Sequence, residues 1–137
     1  MAPLKLTLAA DWRRRSGIRV GALLDHTVLI VEDEPLIALD LHAALSAEGA
    51  GIIAATNTAD ALQLIRRNEI SAAVLDIGLG DRDCTAVCQA LLHHRVPFVF
   101  YTGNPRADIL RAWPEVLVLI KPTRPREIVA CITDLVF

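Results

Sequence analysis

Glu32-Asp33-Glu34, Asp76, Thr102 and Lys121 each stand at the end of a short apolar run in a chain of 137 residues. Taken singly, each has an ordinary explanation: a carboxylate there caps a helix or ends a loop in water, and a threonine forms a turn. Taken together they ask for a common one, because clustered carboxylates repel one another and need a cation. Donors that are all oxygen, with open positions, suit magnesium. A carboxylate, a divalent metal, a hydroxyl and an ammonium around one point form a constellation for handling phosphoryl groups. The metal and Lys121 would neutralise phosphoryl oxygens while Asp76 attacks phosphorus and becomes an aspartyl phosphate. Thr102 would then donate its hydroxyl to the group.

Convergence of these residues depends on the elements that carry them. From Thr27 onward, apolar runs alternate with stretches of helical spacing. Thr27–Val31, Ala72–Leu75, Phe98–Phe100 and Val116–Ile120 are apolar nearly throughout, which predicts strands buried on both faces, and 51–54 is a weaker fifth. Pro35 opens a helix to Ala47 with Ile37, Leu41, Ala44 and Leu45 on one face, and Gly49 ends it. Asn57 or Thr58 caps a second helix that buries Ala61, Leu62 and Ile65. Asp83 or Thr85 starts a third carrying Val87, Cys88, Leu91 and Leu92. A short fourth spans 107–112, and Pro125 opens a last one reaching Leu135. Five βα units predict an α/β domain, a parallel sheet with helices on both faces. Ligands of such open sheets bind beyond the carboxyl ends of the strands, where strand order reverses. The polar strand-end residues are expected to meet there.

Composition narrows the field. With 53% hydrophobic and 22% charged residues, the chain has the material for a core and is too apolar for disorder. The net charge of -2 conceals an asymmetry: residues 1–26 hold five bases and two acids, leaving nine bases and fourteen acids for 27–137. An acidic body argues against nucleic acid as a partner. No apolar stretch is long enough for membrane insertion. Arg13-Arg14-Arg15 follows the N-terminal apolar stretch, where a secretory signal would have its charge in front, and three cysteines make no disulfide framework. A cytoplasmic location is expected.

The runs Val31-Glu32-Asp33-Glu34-Pro35, Val74-Leu75-Asp76-Ile77, Tyr101-Thr102-Gly103 and Ile120-Lys121-Pro122 resemble, in order and spacing, the receiver domains of bacterial two-component response regulators. The resemblance covers 27–137. It implies a doubly wound, flavodoxin-like (βα)5 fold with strand order 2-1-3-4-5. It also implies that Asp76 accepts a phosphoryl group from a sensor histidine kinase or histidine phosphotransfer protein. Asp33 would ligate Mg²⁺ directly, with Asp76 and the backbone carbonyl of Gly78, while Glu32 acts through the metal or its water. Lys121 would pair with Asp76 and then with phosphate, helped by a cis Lys121-Pro122 bond. The run from Pro97 to Gly103 is similar in part to single-domain regulators with a Phe-Ala-Thr-Gly-Tyr signature, but Tyr101 replaces the alanine and Asn104 the last tyrosine. Val118 stands where the resemblance places the switch aromatic, so signalling rests on Thr102 and the short fourth helix, or on another aromatic such as Tyr101.

A stand-alone receiver ending at Phe137 would signal through an unknown downstream protein, docking at the fourth and fifth helices or the first-helix side; a homodimer is also compatible. It would be no enzyme beyond Mg²⁺-dependent self-phosphorylation and autodephosphorylation. The alternative is a phosphorylation-independent pseudo-receiver, a binding module. An aspartate-nucleophile phosphatase would need a second acid where Gly78 stands. Glu34 is expected as an exposed loop acid outside the metal shell, and Asp81, Arg82 and Asp83 as a solvated loop. Asn104, two residues past Thr102, would affect phosphoaspartate lifetime more than Gly78. Cys84, Cys88, His93 and His94 need no zinc to explain them. The basic arm, 1–26, is either disordered, packed as an extra element through Leu4, Leu6, Leu8 and Trp12, or an upstream extension of the coding region.

Overall fold

A computed structural model of the chain describes residues 21–79 and 84–137. Five strands, β1 (Thr27–Val31), β2 (Gly51–Ala55), β3 (Ala72–Leu75), β4 (Phe98–Thr102) and β5 (Val118–Ile120), form one sheet in the order β2-β1-β3-β4-β5. Every pairing is parallel. Five helices connect them: α1 (Pro35–Ala47), α2 (Thr58–Arg67), α3 (Thr85–His93), α4 (Ala107–Ala112) and α5 (Pro125–Val136). The chain has the doubly wound, flavodoxin-like receiver fold with the strand order expected.

Successive strand residues point to opposite faces, so each central strand feeds two cores. Leu29, Val31, Ala73, Leu75, Phe98 and Phe100 pack with Ala61 and Ile65 of α2, Val87, Cys88 and Leu91 of α3 and Ile109 of α4. Val28, Ile30, Val74, Val99 and Tyr101 pack with Leu41 and Leu45 of α1 and Ile128 and Ile132 of α5. This double burial explains why the inner strands read as unbroken apolar runs.

Local expectations hold with some adjustments, and β4 runs two residues beyond Phe100, to Thr102. β5 runs from Val118 rather than Val116, although the Leu117 carbonyl already accepts from the Phe100 N–H of β4 at 2.9 Å. Leu92 is 63% exposed, one residue past the α3 positions that face the core, and Leu62 is only half-buried. Cys84 is the N-cap of α3, which starts at Thr85; Asp83, the other expected start, lies outside the described residues, as do Asp81 and Arg82. Asn57 caps α2, its Oδ1 accepting from the Asp60 N–H at 2.9 Å. Of the arm, 1–20 lies outside the described residues, with Leu4, Leu6, Leu8 and Trp12. Residues 21–26 run against the α1–β2 corner: the Leu23 N–H donates to the Glu48 carbonyl at 2.9 Å, and Leu23 is fully buried among the α1 and α5 residues.

Candidate functional site

The chain leaves β1, β3, β4 and β5 at one edge of the sheet, and the strand-end residues follow. Glu32 comes directly after β1 and its N–H donates to the Ala55 carbonyl at 3.0 Å, continuing the β1–β2 ladder for one residue. That pairing turns its side chain inward; the residue is 2% exposed, and its Oε2 accepts from the Glu34 N–H at 3.2 Å. Asp33 is exposed next to it. Asp76 follows β3, and its N–H donates to the Val31 carbonyl at 3.0 Å. Its Oδ1 accepts from the Gly78 N–H at 3.0 Å, so the backbone that turns past the strand also orients the carboxylate.

Lys121 crosses from the β5 end to join them. Its Nζ lies 2.5 Å from Glu32 Oε1, 3.1 Å from Asp76 Oδ2 and 3.3 Å from Glu34 Oε1. Its own N–H donates to the Thr102 carbonyl at 2.9 Å, and the Lys121-Pro122 peptide is cis. Thr102 closes β4; it is 1% exposed, and its Oγ1 accepts from the Asn104 N–H at 3.2 Å. Glu32, Asp33, Asp76, Lys121 and Thr102 are thus brought to one edge. Glu34 is exposed as expected, but it also pairs with Lys121, a contact between residues 87 apart that sequence spacing did not reveal.

Burial divides the two inner acids. It pushes Glu32 up from 4.5 to about 7, against the pull of the Lys121 ammonium and with the Asp76 charge adding to the rise. Burial would raise Asp76 as well, yet the Gly78 N–H, Lys121 and Glu32 together bring it below its ordinary value. Lys121 loses hydration too, but Glu32 and Asp76 hold it above its ordinary value. Protonation is therefore favoured at Glu32 and disfavoured at Asp76. The ligand oxygens of Glu32, Asp33 and Asp76 lie within 4.8 Å of one another. Hard oxygen donors in so small a space fit a hard dication. The four candidate zinc residues do not gather: Cys84 and Cys88 are buried, whereas His93 and His94 are exposed.

An open parallel sheet with acids and a lysine gathered at its carboxyl edge defines a doubly wound domain whose acids could hold a metal ion. The model of the response regulator receiver domain matches residues 28–133, and the chain belongs to that family. Receiver domains are signalling domains of two-component systems, and they bind Mg²⁺ at an acidic site. The phyllosphere-induced regulator PhyR of Methylorubrum extorquens is 32% identical over 127 residues. The match takes in 89% of this chain and 48% of that protein, so the chain spans about half the length of this curated relative. A response regulator receiver domain protein of Methanospirillum hungatei shares the fold at a TM-score of 0.74 and 22% identity, over 81% of this chain and 93% of its own. So does the receiver domain of a sensor histidine kinase of Pseudomonas aeruginosa, with magnesium coordinated in its active site cleft (TM-score 0.70, 20% identity, 81% and 97% covered). Among the described residues, no helix is long and apolar enough to cross a membrane.

Proposed function

We propose that the chain is a phosphoacceptor switch in which Asp76 takes a phosphoryl group from a sensor histidine kinase or a histidine phosphotransfer protein. One observation carries the reading: the Lys121 ammonium sits 3.1 Å from Asp76 Oδ2, inside a group of acids close enough to share a cation. Asp76 attacks phosphorus as the donor's bond to phosphorus breaks, and the donor leaves with those electrons. Lys121 neutralises a phosphoryl oxygen, and the Thr102 hydroxyl turns from the Asn104 N–H to donate to another. Asp33, Asp76 and the Gly78 carbonyl would hold Mg²⁺, with Glu32 acting through the ion or its water, and the ion would supply charge neutralisation at the phosphoryl oxygens. The low-lying ionisation of Asp76 supports its role as nucleophile. Signalling then passes to a downstream protein in the cytoplasm by contact rather than by turnover of a substrate.

The test is intact mass after incubation with acetyl phosphate and Mg²⁺. The parent should gain one phosphoryl group; Asp76→Asn, or parent with EDTA, should gain none. If the parent stays unmodified with a competent phosphodonor protein as well, the domain is a binding module and not a phosphoacceptor.

A further inference from the structure

Tyr101 and Thr102 are consecutive on β4 and therefore leave it on opposite faces. Tyr101 goes to the α1–α5 side, where the residue is 5% exposed among those of that core. Its hydroxyl accepts from the Thr123 N–H at 3.2 Å and donates to the Thr123 carbonyl at 3.4 Å. Both peptide groups of one loop residue are thus taken by a single phenol. Thr123 lies two residues past Lys121, and Lys121 is itself tied to β4 through its N–H and the Thr102 carbonyl. The ammonium of Lys121 stands 5.7 Å from the centre of the Tyr101 ring, within the reach of a cation–π attraction. Ring and hydroxyl hold the same short segment from two directions.

Tyr101 also lines a cleft of about 510 Å³ between α1 and the β5–α5 loop, whose walls include Leu41, Lys121, Thr123 and Ile128. On the opposite face of the sheet, Val118, which opens β5, is half-buried.

We infer that Tyr101 is a positioning residue for Lys121, and that through it the phosphoryl state of Asp76 reaches the α1–α5 cleft. The inference rests on the reading of Asp76 and Lys121 above. When phosphorus is bound to Asp76, the ammonium follows the new oxygens; the Tyr101 ring loses or shifts its cation, and the loop it clamps moves against Leu41 and Ile128. Tyr101 touches neither donor nor metal.

Acetyl phosphate kinetics read by intact mass, on parent, Tyr101→Phe and Tyr101→Ala, test this. Tyr101→Phe keeps the ring and loses the clamp, and its rate at saturating donor should fall about five- to thirtyfold, the worth of the two hydrogen bonds lost. Tyr101→Ala should be slower still; if it does not fold, Tyr101→Phe decides alone, with its melting curve as the control. In methyl NMR, beryllofluoride with Mg²⁺ should shift Leu41 and Ile128 in the parent, and shift them less in Tyr101→Phe even where bound beryllofluoride is seen by fluorine NMR. A folded Tyr101→Phe that reacts at the parent's rate overturns the inference while leaving Asp76 as acceptor. Parent methyls that do not respond overturn it equally. A parent that forms no adduct removes both readings.

Discussion

At the scale of residues, one lysine makes the acid cluster tenable. Glu32, Glu34 and Asp76 all lie within 3.3 Å of Lys121 Nζ, so the site carries its own cation. The proton placement gives a pH dependence. Glu32 binds a proton more tightly in the folded chain than in the unfolded one, having risen from 4.5 to about 7. Its contribution to stability is therefore complete below 4.5 and is lost as pH rises through about 7. Glu32→Gln keeps a neutral side chain at every pH, and in metal-free buffer its urea midpoint should gain on the parent's between pH 5 and 8. Parallel midpoints across that window would place the proton elsewhere. Asp76→Asn removes a neighbouring negative charge, and a carboxyl NMR titration should find Glu32 titrating lower than in the parent.

At the scale of elements, the helices that carry the site are set by short local signals. Asn57 shows this for α2: its side chain caps the helix, Asp60 stands in the first turn, and Arg66 and Arg67 in the last, with each charge complementing the helix dipole. Asn57→Ala should cost about 1 kcal/mol by urea denaturation. An unchanged midpoint would mean that α2 is held by Ala61 and Ile65 alone. Edge elements are less legible. β5 reads as apolar from Val116, but its hydrogen bonds to β4 begin at the Leu117 carbonyl and the strand at Val118, because a ladder depends on the partner strand and not on hydropathy. Leu92 likewise satisfies the helical spacing of α3, yet the face it occupies meets solvent.

For the whole molecule, the folding unit extends upstream of the first strand. Leu23 is fully buried with Leu41, Leu45 and Ile132, and the Gly51 N–H donates to the His26 carbonyl at 2.9 Å. Leu23→Ala should lower unfolding free energy by about 2 to 4 kcal/mol, as for other buried leucines, measured by urea denaturation. A smaller loss than that of an exposed-site control such as Leu39→Ala would show that 21–26 is dispensable to the core. Alternation along β4 also sends Phe98 and Phe100 into the α2–α3–α4 core and Val99 and Tyr101 into the α1–α5 core, so one strand joins both halves of the molecule.

The sequence by itself determined the alternation of strands and helices, the five-stranded doubly wound class and the strand ends at which Glu32, Asp33, Asp76, Thr102 and Lys121 stand. These features are local: run length, helical spacing, caps and the residue that follows an apolar run are all written within a few positions. Only the tertiary structure decided which of them touch. Lys121 meets Asp76 across 45 residues and Glu34 across 87, through a strand order that brings β1, β3 and β5 to a common edge. The division of protons between Glu32 and Asp76, and the grip of Tyr101 on Thr123, came from packing as well. Burial and hydrogen-bond geometry belong to the assembled fold, and no stretch of sequence holds them alone.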